Sequence, residues 1–369
     1  MPDMQVFQPP QISLVAAATL ARRWFPAGPP AVVPMTGGGF SGSPLFQVEA
    51  AGRTHVLKAF PPGTSAGRVR FVHAVVRHLR DRGVTEVPMV GLAADGESFV
   101  EDGHGHTWEL QEFVAGESRP RPTAAEIAAA MGVVARIHLA AATLAENPPD
   151  IGPSPGIARR IEQAQGMLAR PWAEVQPGRT ADPTLVKLVR PLLNRAAASL
   201  EAGGGAAVVA GVGALAPGLV PRQTVLRDVW APHVLYESRA SARVVGIVDC
   251  HAIGLDTPAT DLARLLGSWA VEAGFGDVPG WDAALDTYGQ IRPLAHAERQ
   301  LVPFLAASGV VFGLDNWFRW IFEQGRRFAD QTAVSCRVER LVAALPAALK
   351  MLPTTLAPSL GLTAENCSL

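Results

Sequence analysis

The hydrophobic pattern of the chain changes near Gly116, and this change restricts the folds that the chain can adopt. Before that point short strand-like segments dominate, and an Ala-Gly hairpin signal separates residues 44–49 from residues 54–60. After it long helical patterns dominate, such as residues 124–144. We therefore predict an α+β fold of two lobes, a small β-rich first lobe and a large helical second lobe. Active sites commonly lie between lobes of this kind.

The same patterns divide the chain into elements and domains. In the first lobe they predict helices at 13–25 and 68–82, and further strands at 89–92, 98–101 and 108–114. In the second lobe they predict helices at 157–168 and 184–200, strands at 223–226, 234–236 and 242–248, and helical structure over 259–352. The predicted domains are an N-terminal helix and linker at 1–29, the first lobe at 30–115, the second lobe at 116–352 and a C-terminal tail at 353–369.

Composition and charge argue against several classes of partner. The 369 residues are 48% hydrophobic, enough for one large or two medium cores, and the net charge of −1 argues against nucleic-acid binding. The longest apolar run, residues 206–221, contains Gly and Pro and is too short to span a bilayer. No signal peptide is recognisable, and Cys250, Cys336 and Cys367 are far apart. We therefore expect a cytoplasmic protein with reduced thiols and with neither a membrane nor a nucleic acid as partner.

A glycine cluster precedes the predicted strand pair. Gly37, Gly39 and Gly42 fit the pattern GxGxxG, but a dinucleotide-binding unit needs a helix directly afterwards, and here strands follow. A P-loop is excluded because no Lys-Ser or Lys-Thr closes the cluster. Taken alone, the glycines are more typical of a flexible turn than of a phosphate loop. Lys58, in the strand where kinases place their phosphate-binding lysine, makes the phosphate-loop interpretation at least equally good.

The densest cluster of reactive side chains lies between residues 226 and 236. Asp228 stands between two short predicted strands, His233 follows five positions later, and the next strand ends at Asp249. Phosphoryl transfer needs one carboxylate that orients or deprotonates the attacking hydroxyl, and further ligands that hold divalent metal on the phosphates. Kinase catalytic loops have a comparable spacing, H-R-D-L-x-x-x-N followed by a strand and D-F-G.

Together these motifs resemble those of the aminoglycoside phosphotransferase and choline kinase-like family of small-molecule kinases. The catalytic loop of that family reads H-G-D-x-x-x-x-N-V-L, and this chain has L-R-D-V-W-A-P-H-V-L at 226–235, then V-G-I-V-D at 245–249. Further matches are P-x-x-D-L-A at 258–263, the hinge at 113–116 and the helix motif at 131–138. The resemblance covers residues 33–269 in the family's order, which is more specific than any single motif.

The resemblance implies a role for each matching residue. Asp228, beside Arg227, would be the catalytic base, and Asp249 the main metal ligand. Lys58 would bind the α- and β-phosphates, and Asp261 would brace the catalytic loop. The other implied residues are the phosphate loop at Gly38, Gly39, Ser41 and Gly42, the adenine contacts at Glu112 and Val114, and the structural residue His138. The implied cofactors are ATP or GTP, with Mg or Mn.

Two positions of the catalytic loop depart from the family pattern. Leu226 replaces a histidine that packs and hydrogen-bonds, which is a tolerable loss. His233 replaces the metal-binding asparagine, and as a second metal ligand its nitrogen would favour Mn over Mg. The competing interpretation is that His233 only packs against Trp230 or Tyr236. Further alternatives are a metal held by Asp249 and the phosphates alone, or no metal.

The glutamate that pairs with the strand lysine in this family is also missing. His73 stands near its place, and no Asp or Glu occurs between Lys58 and Asp81. A neutral His73 could support Lys58 by a hydrogen bond, or Asp249 could pair with Lys58 instead. Because Lys58, Asp228 and Asp249 are all retained, we favour an active kinase. The alternative is a pseudokinase, which binds nucleotide or serves as a scaffold without catalysis.

The acceptor pocket is expected among the C-terminal helices. Asn316, Trp317 and Trp320 share a helix face and are candidates for its lining; the alternative is a core helix with large apolar side chains. Acidic residues are few in this stretch and alternate with arginines, whereas a pocket for a polycationic aminoglycoside carries many acids. We therefore predict transfer of the γ-phosphate of ATP or GTP to a hydroxyl of a small molecule, with no preference for an aminoglycoside.

Overall fold

The computed structural model describes residues 12–35, 43–61, 63–215, 218–275 and 280–352. The strands of the first lobe are β1 (Ala31–Pro34), β2 (Leu45–Ala50), β3 (Arg53–Ala59), β4 (Val100–Glu101) and β5 (Thr107–Glu112). Within the described residues they form one antiparallel sheet in the order β1-β2-β3-β5-β4. The helices of this lobe are α1 (Leu14–Ala21) and α2 (Ala66–Asp81).

The β2–β3 hairpin forms where the sequence predicts it. Ala50 pairs with Arg53 across a two-residue turn in which Ala51 and Gly52 have φ angles of 50° and 73°. Positive φ at both central positions is the backbone of a type I′ turn, whose twist matches that of the paired strands. The turn therefore sets the register of β3, the strand that carries Lys58.

The N-terminal segment is part of the first lobe's core. Ala17 of α1 and the nearby Trp24 are buried together with Val48 of the sheet. Strand β1 lies just after the predicted linker, in a stretch to which the sequence patterns assigned no strand, and it forms an edge of the sheet. Pro34 fits there because an edge strand can lack an N–H without breaking the ladder.

One prediction about an element was wrong, and one helix was not predicted. Residues 89–92, predicted as a strand, contribute only an isolated bridge between Val90 and Gln111. The helix that was not predicted is α6 (Gly205–Gly213), which begins one residue before the apolar run at 206–221. Short apolar runs do not distinguish a buried helix from a strand or a loop, so these errors arise where periodicity is weakest.

The second lobe is mostly helical. Besides α6, its helices are α3 (Ala124–Ala141), α4 (Pro155–Ala169), α5 (Pro183–Ala202), α7 (Pro258–Glu272), α8 (Trp281–Ile291), α9 (His296–Phe318) and α10 (Gln331–Met351). Its strands are β6 (Glu117–Ser118), β7 (Asp150–Pro153), β8 (Leu219–Val225), β9 (Val234–Ser238), β10 (Ser241–Ile247) and β11 (Gly254–Asp256). They form two small sheets, β10-β9-β6 and β11-β8-β7. Residues 226–233, here called the catalytic loop, connect the two sheets.

Among the described residues, two helical stretches are long and apolar enough to cross a membrane by length and composition, α3 and residues 296–323. The argument from the longest apolar run overlooked them, because isolated polar residues interrupt both. In the structure, 56% of the α3 window and 78% of the longer window are buried inside the protein. Packing in the core therefore accounts for their hydropathy.

The lobes are connected through residues 113–116. A Cβ atom on Gly116 would lie 2.9 Å from Val245 Cγ2 and 3.0 Å from Leu235 Cβ, so the close approach of the chain to β9 and β10 requires glycine. β6 pairs with β9 directly afterwards. The connection is thus anchored to the sheet at one end of the catalytic loop.

Candidate active site

Lys58 of β3 joins the two lobes through an ion pair. Its Nζ contacts Oδ1 of Asp249, which lies two residues beyond the end of β10. Lys58 is only 8% exposed, so water screens the pair weakly. The structure therefore contains the Lys58–Asp249 pairing that the missing helix glutamate left as one of two alternatives.

Asp249 is held as a carboxylate. Burial raises the pKa of this carboxyl, but the Lys58 ammonium and a hydrogen bond with His251 Nδ1 lower it more, so the pKa lies well below its usual range. A carboxylate with a lowered pKa stabilises the fold above its unfolded pKa of about 3.9, and this contribution is lost only as the pH falls through the folded pKa. Asp249 is therefore charged throughout the pH range in which kinases work.

The catalytic loop is braced from below by Asp261, the fourth residue of α7. Its Oδ2 accepts the backbone N–H of Leu226 at 2.7 Å, and its Oδ1 accepts that of Arg227 at 2.6 Å. Arg227 has a left-handed backbone with φ of 68°, a conformation that costs a non-glycine residue about 1–3 kcal/mol. The two hydrogen bonds to a fully buried carboxylate hold this strained residue and therefore aim the next one, Asp228.

His138 of α3 completes this brace from the other side. Its Nε2 donates to Asp261 Oδ2 at 2.9 Å, and its Nδ1 lies 2.8 Å from the hydroxyl of Tyr288. All three side chains are fully buried, and burial raises the pKa of Tyr288. His138 thus occupies the position that a structural role requires, away from any open space.

Asp228 faces a cleft and is paired with an arginine. Its Oδ1 accepts from Nε and Nη2 of Arg264 at 3.1 and 3.0 Å, and its side chain is 36% exposed. Asp228 Oδ2 has no hydrogen-bond partner within the described ranges. The Arg264 guanidinium also lies 5.5 Å from the ring centre of Trp230. Arg264 thereby fixes one oxygen of the carboxylate, and the Asp228 side chain as a whole lines the cleft.

His233 lies between Asp228 and Asp249. Its Nδ1 donates to the backbone carbonyl of Asp228 at 2.8 Å, and its Nε2 accepts from the indole N–H of Trp230 at 2.8 Å. The same Nε2 is 3.7 Å from Asp249 Oδ2. Burial lowers the pKa of His233, although Asp249 and Asp228 oppose this, so the ring is neutral near pH 7. The geometry contains the packing contact with Trp230, and a metal on Nε2 would have to displace that indole.

The remaining nucleotide contacts that the sequence predicts lie in the hinge and in the glycine cluster. The N–H of Glu112 donates to Met89 O at 2.9 Å and that of Phe113 to Thr54 O at 3.3 Å. Within the described residues the backbone N–H of Val114 makes no hydrogen bond, so it is free for a ligand. Gly38, Gly39, Ser41 and Gly42 lie outside the described residues.

A cleft of about 560 Å³ opens beside Asp228 toward the C-terminal helices. Asn316 and Trp320 line it, and Asn316 accepts a hydrogen bond from Gln163 at 3.0 Å. Trp317 does not line it; its ring packs against Trp320, with the centres 5.2 Å apart, and against Phe328. The predicted acceptor residues are therefore divided, two at the cleft and one in the core.

The comparison with protein families decides the classification. A model of the phosphotransferase enzyme family, APH, matches residues 36–312. The chain belongs to this family. The match extends beyond the predicted resemblance at the C-terminal side, where it includes most of α9.

Individual relatives of this phosphotransferase are distant. A homoserine kinase from Methylocella silvestris is 24% identical over 271 residues, which cover 72% of this chain and 74% of the relative. A spectinomycin phosphotransferase solved with ADP and spectinomycin has a TM-score of 0.58 at 11% identity, over 93% of this chain and 100% of that one. An amicoumacin kinase solved with AMP-PNP and Ca²⁺ has a TM-score of 0.52 at 14% identity, over 85% and 87% of the two chains. The two-lobed α+β fold and the small-molecule phosphotransferase family that the sequence predicts are thereby confirmed.

One pair of buried polar residues in this phosphotransferase was not found from the sequence. Glu109 of β5 lies opposite Lys58 in the sheet, and its Oε2 is 2.8 Å from Nε2 of His73 on α2. Nδ1 of His73 lies 2.8 Å from Ser98 Oγ, so no hydrogen bond joins His73 to Lys58. The signal was a glutamate between Trp108 and Leu110 in a predicted strand, at a position that is buried in the structure. Glu109 thus places a carboxylate near Lys58 from the sheet, whereas in the family pattern the glutamate stands on the helix.

The Asp261 brace leads to a prediction about stability and activity. We expect Asp261→Asn to lower the free energy of unfolding by about 1–3 kcal/mol, because the new amide must point its NH₂ group at an N–H donor. Nucleotide-dependent turnover should fall further than stability explains, because Arg227 loses the bond that holds it. Urea unfolding and turnover below the transition measure both effects. Asp282→Asn, at an exposed position of α8, is the control, and equal behaviour of the two variants would contradict the bracing role.

Proposed function

We propose that this chain transfers the γ-phosphate of ATP or GTP to a hydroxyl of a small molecule, with Asp228 as the base. The observation that supports this most directly is the connection of the three retained groups. Lys58 contacts Asp249, Asp249 lies beside His233, and His233 forms a hydrogen bond with the backbone carbonyl of Asp228. Positioning and charge stabilisation are what phosphoryl transfer demands of a protein.

In the proposed step the acceptor hydroxyl lies in the cleft against Asp228. Its oxygen attacks the γ-phosphorus, the bond to the oxygen bridging the β-phosphate breaks, and the nucleoside diphosphate leaves. The hydroxyl proton passes to the carboxylate of Asp228, whose side chain lines the cleft. Arg264 keeps this carboxylate oriented through Oδ1. General-base assistance of this kind contributes about 10²- to 10⁴-fold to a rate.

The nucleotide would lie between the lobes, where Lys58 of the first lobe meets Asp249 of the second. A spectinomycin phosphotransferase and an amicoumacin kinase of similar fold were solved with ADP and with AMP-PNP. The free N–H of Val114 supplies a hydrogen bond for the base, and Lys58 supplies a positive charge for the phosphates. Because Lys58 is held by Asp249, nucleotide binding would loosen or share that ion pair. Asp249 would then be free to face a metal ion.

A divalent metal on the phosphates would neutralise their charge and hold them in line for attack. Within the described residues no group of three His, Cys, Asp or Glu side chains forms a closed metal site, which suits a metal held mainly by phosphates. Asp249 fits as a ligand because it is ionised and its Oδ2 is not taken by Lys58. The 3.7 Å between that oxygen and His233 Nε2 is a spacing that two ligands at about 2.1 Å from one ion can have. His233 would ligate only by exchanging its contact with Trp230.

A cytoplasmic location is part of the proposal. Cys250 is buried and Cys336 is exposed, and neither forms a disulfide within the described residues. Burial raises the pKa of Cys250 to about 12, so that thiol is inert. Unpaired thiols are typical of reducing compartments.

Nucleotide binding and catalysis can be tested with two variants, one expected to weaken binding and the other to reduce catalysis. Millimolar ATP should raise the melting temperature of the wild-type protein by mass action, and Lys58→Ala should weaken this shift. Asp228→Asn should retain the shift but reduce ATP hydrolysis, the available assay without an acceptor, by about 10²- to 10⁴-fold. Differential scanning fluorimetry and phosphate release measure the two effects.

Two outcomes would go against this proposal. Without a melting shift for any purine nucleotide, the nucleotide site does not exist as described. With a shift but equal hydrolysis in wild type and Asp228→Asn, Asp228 is structural and the chain behaves as the pseudokinase of the alternative interpretation.

The role of His233 can be tested separately through metal preference. If His233 ligates, activity should be higher with Mn than with Mg, and His233→Asn should restore Mg. Because burial lowers its pKa, metal affinity should fall only below the unperturbed value of about 6.5. Trp230→Phe removes the competing indole N–H and should strengthen Mn binding to the AMP-PNP complex in calorimetry. An identical metal preference in all three proteins would assign His233 to packing.

A further inference from the structure

The cleft beside Asp228 is lined by more arginines than acids. It is lined by parts of α4, α7, α9, α10 and the catalytic loop. One wall is apolar, with Val271, Leu305 and Val310 among its residues. Among the described residues, the charged side chains of the lining are one acid, Asp228, and the arginines Arg68, Arg159, Arg160, Arg227, Arg264 and Arg337.

Protein carboxylates balance few of these arginines. Arg264 is paired with Asp228, and Arg337 lies 3.6 Å from Glu272, which is itself closer, at 2.9 Å, to Arg340. Within the described ranges no carboxylate lies within 4 Å of the guanidinium groups of the remaining four, Arg68, Arg159, Arg160 and Arg227. The cleft therefore has an excess of positive charge that the protein does not neutralise.

The arginines deepest in the cleft are held in place by neutral groups or by aromatic stacking. Arg160 donates to the carbonyls of Gly156 and Leu305 and to Ser308 Oγ, at 2.9 to 3.0 Å. Burial lowers its pKa to about 10, since Arg264 and Arg159 add to the effect of burial and Asp256 only partly offsets it.

Arg337 lies 5.3 Å from the ring centre of Trp230, and burial together with Arg264 lowers its pKa to about 10. Both arginines remain charged at neutral pH, but at a cost that a bound anion would relieve.

The nucleotide does not account for this charge. Arg68 donates to the carbonyl of His251 at 2.9 Å, near Asp249, so we assign Arg68 and the neighbouring Arg227 to the side where the phosphates would lie. Arg159, Arg160 and Arg337 come from α4 and α10 of the helical lobe, on the side of Asn316 and Trp320. These three are therefore on the acceptor side of Asp228.

We propose that the acceptor is an anionic hydroxyl compound, whose carboxylate or phosphate is bound by Arg159, Arg160 and Arg337 while its hydroxyl faces Asp228. Guanidinium groups bind both kinds of oxyanion in a forked geometry. This inference rests on the proposed function, because it takes Asp228 as the base. The phosphoryl transfer is the step described above; the anionic group of the acceptor is unchanged in it.

The same charges disfavour an amino group on the acceptor. Of the cleft's lining residues that the structure describes, only Asp228 offers a carboxylate to an ammonium ion, and that group is already paired with Arg264. Homoserine, the substrate named for a distant relative, carries both a carboxylate and an ammonium group. We expect the carboxylate to be recognised and the ammonium to be rejected.

A matched set of acceptors separates these contributions. 4-Hydroxybutyrate is homoserine without its amino group, and 3-aminopropan-1-ol is homoserine without its carboxylate. Glycerol 3-phosphate replaces the carboxylate by a phosphate. With ATP and metal, kcat/KM for the better of the two anions should exceed that for homoserine by at least about tenfold, or about 1.4 kcal/mol, and that for the aminoalcohol by more. The better anion identifies the group that is bound.

Binding is measured in parallel, so that the inference does not depend on turnover. The two anionic probes should raise the melting temperature of the AMP-PNP complex, and the aminoalcohol should not. Arg159→Gln, at an exposed position, should weaken the anion shift and raise KM for the anion by about tenfold, with KM for ATP unchanged. Arg337→Lys keeps the charge but loses the fork and should do the same. Arg195→Gln, on the outer face of α5, is the control.

Three outcomes would overturn the inference. They are an acceptor preference for the aminoalcohol, equal use of homoserine and the better anion, or neither turnover nor a melting shift with either anion at millimolar concentration. In each case Asp228-dependent ATP hydrolysis would leave the proposed function standing. Anion binding without any Asp228-dependent turnover would instead support the cleft assignment and contradict the phosphotransfer.

Discussion

The buried carboxylate of Asp261 is the constraint on which the arrangement of the site depends. It accepts two consecutive backbone N–H groups, from Leu226 and Arg227, and a third hydrogen bond from His138. These hydrogen bonds offset two costs, the burial of the Asp261 charge and the strain of the left-handed backbone at Arg227. A neutral side chain at Asp261 could not satisfy all three donors. The direction of Asp228 is therefore set by a group that never touches substrate.

A second charge, Lys58, links this rigid centre to the first lobe. In the structure its partner is Asp249, and Glu109 stands opposite it in the sheet but is bonded to His73. The lysine can thus be oriented without a glutamate on α2. Phosphates would enter a site in which the cation is already in place, and Asp249 would exchange one positive partner for another. The Lys58–Asp249 pair replaces the ion pair that the missing helix glutamate would make, and this favours an active kinase over a pseudokinase.

Much of this architecture could be predicted from the sequence. Local patterns indicate the order of strands and helices, the hairpin before Lys58 and the spacing from Asp228 to Asp249. Such patterns can be recognised in the sequence alone. The edge strand β1 was not predicted, because it is only four residues long and prolines stand directly before it and at its end. Glu109 was missed because its partner, His73, lies in another element, and only the sheet register brings it opposite Lys58.

The charge of the cleft was missed for the same reason. The stretch around Asn316 shows arginines and few acids, which argued against an aminoglycoside pocket, but the adjacent Arg159 and Arg160 lie far from Arg337 in the chain. Tertiary packing of α4 and α10 brings them to one space. Trp317 was expected on the same helix face as Trp320, three residues later, but it packs into the core. The reason is that α9 ends at Phe318, and a π-helical turn over Arg319–Glu323 changes the direction of Trp320.

The central claim is that Asp228 directs phosphoryl transfer from a nucleotide to a hydroxyl of a small molecule. The most direct measurement is to incubate the protein with γ-³²P-labelled ATP and a protein-free, low-molecular-weight cell extract, and to separate the labelled products. The account predicts a new labelled, anionic small molecule with the wild-type protein and none with Asp228→Asn. Label that stays in ATP and inorganic phosphate, or a product that forms equally well with Asp228→Asn, would contradict it.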